Sequence, residues 1–157
     1  MARQILVVDD EERIRHSLNG VLKDDGYDVL EARDGVQALK QIEGDPPDAV
    51  LLDIWMPGMD GIETLERIKA QIPNLPVIMI SGHANIELAV KATKLGAYDF
   101  IEKPLSLEKV LLTVNHALLY SKLEQENRAL RQQIQRRYEI VGNSPEILQL
   151  KEQIRIV

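Results

Sequence analysis

The chain has 157 residues, 45% of them hydrophobic, which is enough for one domain with a full core and some additional length. Its 25 acidic residues outnumber the 19 basic ones, and the net charge of −6 argues against binding of nucleic acid by charge alone. The absence of cysteine excludes disulfides, cysteine-ligated zinc and thiol catalysis. The sequence shows neither a signal-peptide pattern nor an apolar run of roughly 20 residues, so we expect a cytoplasmic protein with no membrane partner.

Five short apolar runs predict strands. They are continuous and bounded by Asp, Gly, Pro or Ser, which is typical of buried parallel strands, and they cover residues 5–8, 49–54, 77–80 and 98–101, with a weaker run at 27–32.

Helical patterns lie between these runs, each with apolar residues on one face. The faces are Ile14, Leu18, Val21 and Leu22, then Val36, Leu39 and Ile42, then Ile62, Leu65 and Ile68, and in a shorter fourth helix Ile86, Ala89, Val90 and Thr93. Alternating strands and helices predict an α/β fold, a doubly wound, five-stranded parallel sheet of the flavodoxin-like type with strand order 2-1-3-4-5. This domain would occupy residues 1–119.

One long helix is predicted from Ser106, a suitable N-cap, to about Arg137, because this segment contains neither Gly nor Pro. Its residues 120–138 carry the 3–4 spacing of a coiled-coil seam at Tyr120, Leu123, Asn127, Leu130 and Ile134. Asn127 takes an a position, where a buried Asn specifies a two-stranded parallel pair. We therefore predict a dimerising linker helix, with a solvated helix bearing scattered leucines as the alternative.

A new segment begins after Gly142. Asn143 or Ser144 is a suitable cap, Pro145 lies near the first helical position, and apolar residues follow at helical spacing. So short a segment cannot form a domain. We expect residues 139–157 to be the start of a truncated one.

Charged and hydroxyl residues follow four of the predicted strands. In a doubly wound sheet these carboxyl ends meet at one edge, where ligands bind. Asp53 follows a buried run, and an acid there costs free energy unless it is paired or binds a cation. Asp53 and Asp10 would bind Mg²⁺ directly and Asp9 through water, since Mg²⁺ prefers oxygen ligands. With the Ser81 hydroxyl and the Lys103 charge nearby, the set predicts phosphoryl transfer to Asp53 as nucleophile.

Four motifs in this order resemble bacterial two-component response-regulator receiver domains: ILVVDDE, LLDIWMPGMDG, MISGHA and GAYDFIEKP. The combination looks most like receivers of the NtrC family, especially NtrX-like regulators. The segment IVGNSPEILQL is similar to the start of the sigma-54-activating AAA+ domain of such proteins, although the chain has no G-x-x-x-x-G-K-[ST] phosphate loop. The resemblance implies a CheY-like fold.

The resemblance also implies roles for the site residues. Asp53 would be the phospho-acceptor, served by a sensor histidine kinase. Asp9 and Asp10 would be the acidic pair, and the backbone carbonyl of Trp55 would complete the Mg²⁺ site. We hypothesise in addition that the Trp55 indole shields the acyl phosphate and slows its hydrolysis.

Further implied roles concern signalling within the domain. Ser81 would be the switch hydroxyl and Phe100 the switch aromatic, which lacks a hydroxyl and must act by packing. Lys103 would contact the phosphate and precede a cis bond to Pro104. Phosphorylation would act through a homodimer formed by the receiver face and the coil. It would thereby control a sigma-54-activating ATPase and transcription.

We expect no enzyme activity beyond Mg²⁺-dependent self-phosphorylation and slow autodephosphorylation. A haloacid-dehalogenase-type phosphatase would need an acid where Trp55 stands, and a flavodoxin-like cofactor site would need a phosphate loop where Asp9 and Asp10 stand. The remaining alternative is an unphosphorylated, receiver-like dimerisation module. His83 is interpreted as a surface residue.

Overall fold

The computed structural model describes residues 2–82 and 86–141, the last four by their backbone only. The elements are β1 (Gln4–Val8), α1 (Glu12–Asp24), β2 (Asp28–Ala32), α2 (Gly35–Gly44), β3 (Ala49–Asp53), α3 (Gly61–Gln71), β4 (Val77–Ser81), α4 (Ile86–Lys94), β5 (Asp99–Glu102) and α5 (Leu107–Val141). His83 and residues 142–157, on which part of the sequence interpretation rests, lie outside the described residues.

All five strands form one parallel sheet in the order β2-β1-β3-β4-β5, so the predicted fold class is confirmed. Val8 at the end of β1 lies opposite Leu52 in β3, and Asp53 lies opposite Ile80 in β4. The residues that follow β1 and end β3 therefore share the carboxyl edge of the sheet, beside the change of strand order where such folds bind ligands.

Two hydrophobic cores cover the two faces of the sheet. Alternate strand residues point to opposite faces, so Leu6 joins the core formed with α2 and α3, whereas Ile5 and Val7 join the core formed with α1 and α5. Every residue of β3 and β4 is buried. This burial on both faces explains why the sequence shows continuous apolar runs instead of alternation.

The predicted inward face of α4 is wrong except at Ala89, which is partly buried. Ile86 and Val90 are 83% and 46% exposed, and Thr93 is exposed as well. The inward side consists of Leu88, Ala89, Ala92 and Leu95. Leu88, Ala92 and Leu95 are also spaced as residues on one helical face. The apolar residues of this segment are therefore compatible with two different inward faces. The small Ala92 side chain allows close approach to the sheet.

In α2 the predicted inward face is partly wrong, because Val36 is 50% exposed. Ile42 is fully buried and Leu39 partly buried, as predicted. Gly35 and Ala38 take the remaining inward positions. Gly35 must be small, since a Cβ there would lie 2.3 Å from Oγ1 of Thr64 in α3.

The helix α5 runs to Val141, four residues beyond the predicted end, and Gly142 is the first helix-breaking residue after it. The chain divides into two units, with the boundary between Ser121 and Lys122. In the first unit Val110, Val114, Ala117 and Leu118 of α5 bury against the sheet. Within the part of the chain that is described, no helix combines the length and apolarity needed to cross a bilayer.

Candidate functional site

Three carboxylates meet at the carboxyl edge of the sheet. Oxygen atoms of Asp9, Asp10 and Asp53 all lie within 4.8 Å of one another. Asp9 and Asp53 are 1% and 3% exposed, whereas Asp10 faces solvent. The parallel pairing of β1 with β3 produces this cluster because Asp9 directly follows β1 and Asp53 is the last residue of β3.

The backbone and side chain of Asp9 are held from several directions. Its N–H donates to the carbonyl of Ala32 (3.1 Å), and its own carbonyl accepts from Nη1 of Arg15 (2.6 Å). Its Oδ1 accepts from the N–H of Glu11 (2.9 Å). The other oxygen, Oδ2, is buried and lies 3.2 Å from Nζ of Lys103. This carboxylate oxygen is therefore directed at the cluster, where it faces the positive charge of the site.

Lys103 supplies the positive charge of the site. Its Nζ lies 3.2 Å from Oδ2 of Asp9 and 3.6 Å from Oδ2 of Asp53, and the side chain is 17% exposed. Its N–H donates to the carbonyl of Ser81 (2.8 Å), which ties the end of β5 to the end of β4. A Cβ on Gly82 would lie 3.7 Å from Cδ of Lys103. The bond to Pro104 is cis, as the resemblance implied.

The other predicted signalling residues lie nearby in the sheet. Ser81 is fully buried at the end of β4. Phe100 in β5 is partly buried and packs against the core on the side of α3 and α4, opposite Met79 in register. Trp55 is 53% exposed. Tyr98 forms a ring contact of 5.8 Å with Tyr120 of α5.

Burial and charge repulsion perturb the ionisable groups. Burial, reinforced by the charge of Asp9, raises the pKa of Asp53 from 3.8 to about 6 despite the opposing effect of Lys103. Burial also raises the pKa of Asp9, although the Glu11 N–H and Lys103 oppose it. Burial lowers the pKa of Lys103, but the carboxylates of Asp9 and Asp53 outweigh this effect and leave the pKa above its usual range.

These residues fit a magnesium ion. Hard divalent cations prefer carboxylate oxygens, and Mg²⁺ commonly binds through one or two carboxylates while keeping several waters. The oxygen atoms of Asp9, Asp10 and Asp53 lie close enough together, within 4.8 Å of one another, to surround one ion. A cation would also relieve the repulsion that raises the pKa of Asp53. The cluster of Asp9, Asp10 and Asp53 therefore has the ligand chemistry of a magnesium pocket.

The first residue of α3, Gly61, supports the site through a backbone contact that the sequence does not predict. The N–H of Gly61 donates to the carbonyl of Ile54 (2.7 Å), and a Cβ at Gly61 would lie 2.2 Å from the Asp53 carbonyl oxygen. Asp60 caps α3 by accepting from the N–H of Glu63 (2.9 Å). In the sequence Gly61 is the last residue of the motif LLDIWMPGMDG, whereas the structure places it directly against the backbone of Asp53.

Comparison with known proteins identifies the family. The model of the response regulator receiver domain matches residues 5–115. A putative NtrX-like response regulator of Rickettsia bellii is 45% identical over 152 residues, which are 96% of this chain and 32% of that protein. The chain thus spans about a third of the length of such relatives.

Solved structures agree with this assignment. NtrX from Brucella abortus superposes with a TM-score of 0.83 at 46% identity, covering 100% of this chain and 35% of that one. The beryllofluoride-activated NtrC4 receiver domain dimer superposes with a TM-score of 0.73 at 43% identity, covering 75% of this chain and 98% of that one. The chain therefore belongs to the response regulator receiver domain family of two-component systems, with NtrC-family regulators such as NtrX among its relatives.

Proposed function

We propose that the chain accepts a phosphoryl group on Asp53 from a sensor histidine kinase. The observation that carries this proposal is the buried Asp53 carboxylate, which lies 3.6 Å from the Lys103 ammonium group and within 4.8 Å of the carboxylates of Asp9 and Asp10. Phosphoryl transfer depends chiefly on positioning and on stabilising charge. This site offers a nucleophile, a fixed cation and a set of metal ligands.

In the proposed reaction an oxygen of Asp53 bonds to the phosphorus of a phosphohistidine. The phosphorus–nitrogen bond breaks, and its electron pair stays on the imidazole nitrogen. Lys103 stabilises the negative oxygens of the acyl phosphate, and the Ser81 hydroxyl donates to one of them. Asp10 and Asp53 would bind Mg²⁺ directly, Asp9 through water, and the Trp55 carbonyl would complete the set. The bound ion offsets the charge of the incoming phosphoryl group. The same site would support self-phosphorylation by small donors and slow autodephosphorylation.

The proposed switch couples the acyl phosphate to the edge of the sheet. The N–H of Lys103 is bonded to the carbonyl of Ser81, so inward movement of either residue displaces the ends of both β4 and β5. Phe100 in β5 is only partly buried and packs at the margin of the core, where it would change its packing as the strand ends move. Without a hydroxyl group, Phe100 signals by packing alone.

The output of this switch would be a homodimer. The apolar side chains of Ile86 and Val90 on α4 face solvent and form a receiver face that a second copy would cover. On α5 the seam side chains Leu123, Leu130 and Ile134 are 55%, 58% and 56% exposed, which favours a paired coil including Tyr120 and Asn127. NtrC4, a related receiver, has been solved as a beryllofluoride-activated dimer.

For the whole protein we propose three segments: a receiver at 1–119, a coiled-coil linker at 120–138 and the start of an AAA+ domain at 139–157. Phosphorylation would then control a sigma-54-activating ATPase, and through it transcription in the cytoplasm. The motif resemblance and the NtrX-like relatives support this assignment. The alternative, an unphosphorylated dimerisation module, would use the same exposed seam without the acidic site.

Treatment with acetyl phosphate and Mg²⁺ tests the proposal. Intact-mass spectrometry should show one added PO₃ unit on the wild type and none on the Asp53→Asn variant. Light scattering with and without beryllofluoride should show a change in the fraction of dimer. If the wild type dimerises but takes no phosphoryl group, the proposal is wrong and the alternative, an unphosphorylated dimerisation module, remains.

A further inference from the structure

Arg15 in α1 links the acidic site to β2. Its Nη1 donates to the carbonyl of Asp9 (2.6 Å), and its Nε lies 3.4 Å from Oε1 of Glu31. The side chain is 16% exposed. Glu31 is itself fixed, since its Oε2 accepts from Nδ2 of Asn19 (3.0 Å) and its carbonyl accepts from Nε2 of Gln41 (2.9 Å). The guanidinium group is therefore held on both sides.

This arrangement determines the position of one atom of Asp9, the carboxylate oxygen Oδ2. The N–H of Asp9 is bonded to Ala32, its carbonyl to Arg15 and its Oδ1 to the N–H of Glu11. With these three groups fixed, Oδ2 faces the cation site, where Nζ of Lys103 lies 3.2 Å from it. Arg15 is the only one of the three partners that bonds through a side chain, so it is the partner that substitution can remove.

We propose that Arg15 is a positioning residue for the cation site, acting through the Asp9 carbonyl and braced by Glu31. The inference rests on the proposed function, because it assumes that Asp9 takes part in binding Mg²⁺. Groups that orient metal ligands from behind commonly contribute 10- to 100-fold to metal affinity. We expect Arg15→Ala to weaken Mg²⁺ binding by about 10-fold.

The sign of the change separates positioning from simple charge effects. Removing a positive charge near a cation site should by Coulomb's law tighten Mg²⁺ binding. Loss of the bond that orients Asp9 should weaken it. Arg13 provides a matched control, since it is an exposed arginine on the same helix with no ion-pair partner among the described residues. Arg13→Ala should leave the affinity unchanged or slightly increase it.

The experiment is a Mg²⁺ titration of the full chain followed by fluorescence of Trp55, the only tryptophan, which lies two residues after Asp53. Circular dichroism first establishes that each variant is folded. Arg15→Lys keeps the charge and one donor group, so it should recover part of the affinity. Glu31→Gln removes the ion pair with Arg15 but not the bond from Arg15 to the Asp9 carbonyl, so its loss of Mg²⁺ affinity should be smaller than that of Arg15→Ala.

The outcomes also separate this inference from the proposed function. If Arg15→Ala binds Mg²⁺ with wild-type affinity and still takes a phosphoryl group from acetyl phosphate, the proposed role of Arg15 is overturned and the proposed function stands. A uniform loss in the Arg13, Arg15 and Glu31 variants would overturn it as well, because the effect would then be general. A wild type that binds no Mg²⁺ and takes no phosphoryl group would overturn both proposals.

Discussion

Replacing Asp53 with Asn should stabilise the metal-free protein at neutral pH. The pKa of Asp53 is about 6 in the folded chain, against a usual value of 3.8. Each unit by which the folded pKa differs from the unfolded pKa changes the free energy of unfolding by about 1.4 kcal/mol. Keeping the carboxylate ionised above pH 6 therefore costs the folded state at most about 3 kcal/mol. Asn retains the shape without the charge, so we expect a gain of about 1–3 kcal/mol.

The gain depends on pH in a defined direction. Because the folded pKa of Asp53 is raised, the wild type loses stability as pH rises from about 4 through about 6. The advantage of Asp53→Asn should therefore be absent near pH 4 and complete near pH 7. Urea unfolding in EDTA, followed by circular dichroism, measures the free energy of unfolding of both proteins across this range.

Two controls make the result interpretable. Glu66→Gln removes an exposed carboxylate of α3 and should change the free energy of unfolding by less than about 0.5 kcal/mol. Excess Mg²⁺ should stabilise the wild type and narrow its difference from Asp53→Asn. An Asn variant no more stable than the wild type at pH 7, or a gain that does not vary with pH, would refute the reasoning.

Three further substitutions test other parts of the site and the linker. Gly61→Ala should lower the free energy of unfolding by about 1–3 kcal/mol, measured in urea, because its Cβ would meet the Asp53 carbonyl oxygen. Trp55→Asn should shorten the acyl-phosphate lifetime, measured by phosphate release, and an unchanged lifetime would rule out shielding. Leu130→Lys should reduce the dimer fraction in light scattering, whereas an unchanged mass would indicate a solvated helix.

The sheet could be predicted from sequence because its strands are buried on both faces. The runs at β1, β3 and β4 are short and bounded by polar or turn residues, which favours strands over helices. Asp9 follows β1, and Asp53 and Ser81 end β3 and β4, so polar residues mark the carboxyl edge. The strand order then brings Asp9 beside Asp53, and the approach of Lys103 within 3.6 Å of Asp53 follows the expected geometry. The apolar runs and the polar residues that bound them are therefore enough to predict both the sheet and the edge where the site lies.

Other features depend on contacts that a sequence pattern does not encode. The close approach of Gly61 to Asp53 requires the α3 backbone to lie against the end of β3, which the motif LLDIWMPGMDG does not by itself indicate. In the sequence Arg15 is an ordinary charged residue of an amphipathic helix, and only the fold shows that its Nη1 lies 2.6 Å from the Asp9 carbonyl. Both residues contact the backbone of a site residue, and such contacts leave no pattern in the sequence.

The failure at α4 has a different cause and a consequence for signalling. Ile86 and Val90 obey the apolar periodicity of a buried face, yet the sheet takes the opposite face, with Ala92 at its centre. Conflicts between local pattern and fold tend to mark functional surfaces. The second apolar face of this short helix, with Ile86 and Val90, is explained if it is buried only in an assembly. The helix α4 contacts β5, and the bond from the Lys103 N–H to the Ser81 carbonyl ties the end of β5 to β4. A shift of that edge would therefore move α4 and change the surface that it offers to a second copy.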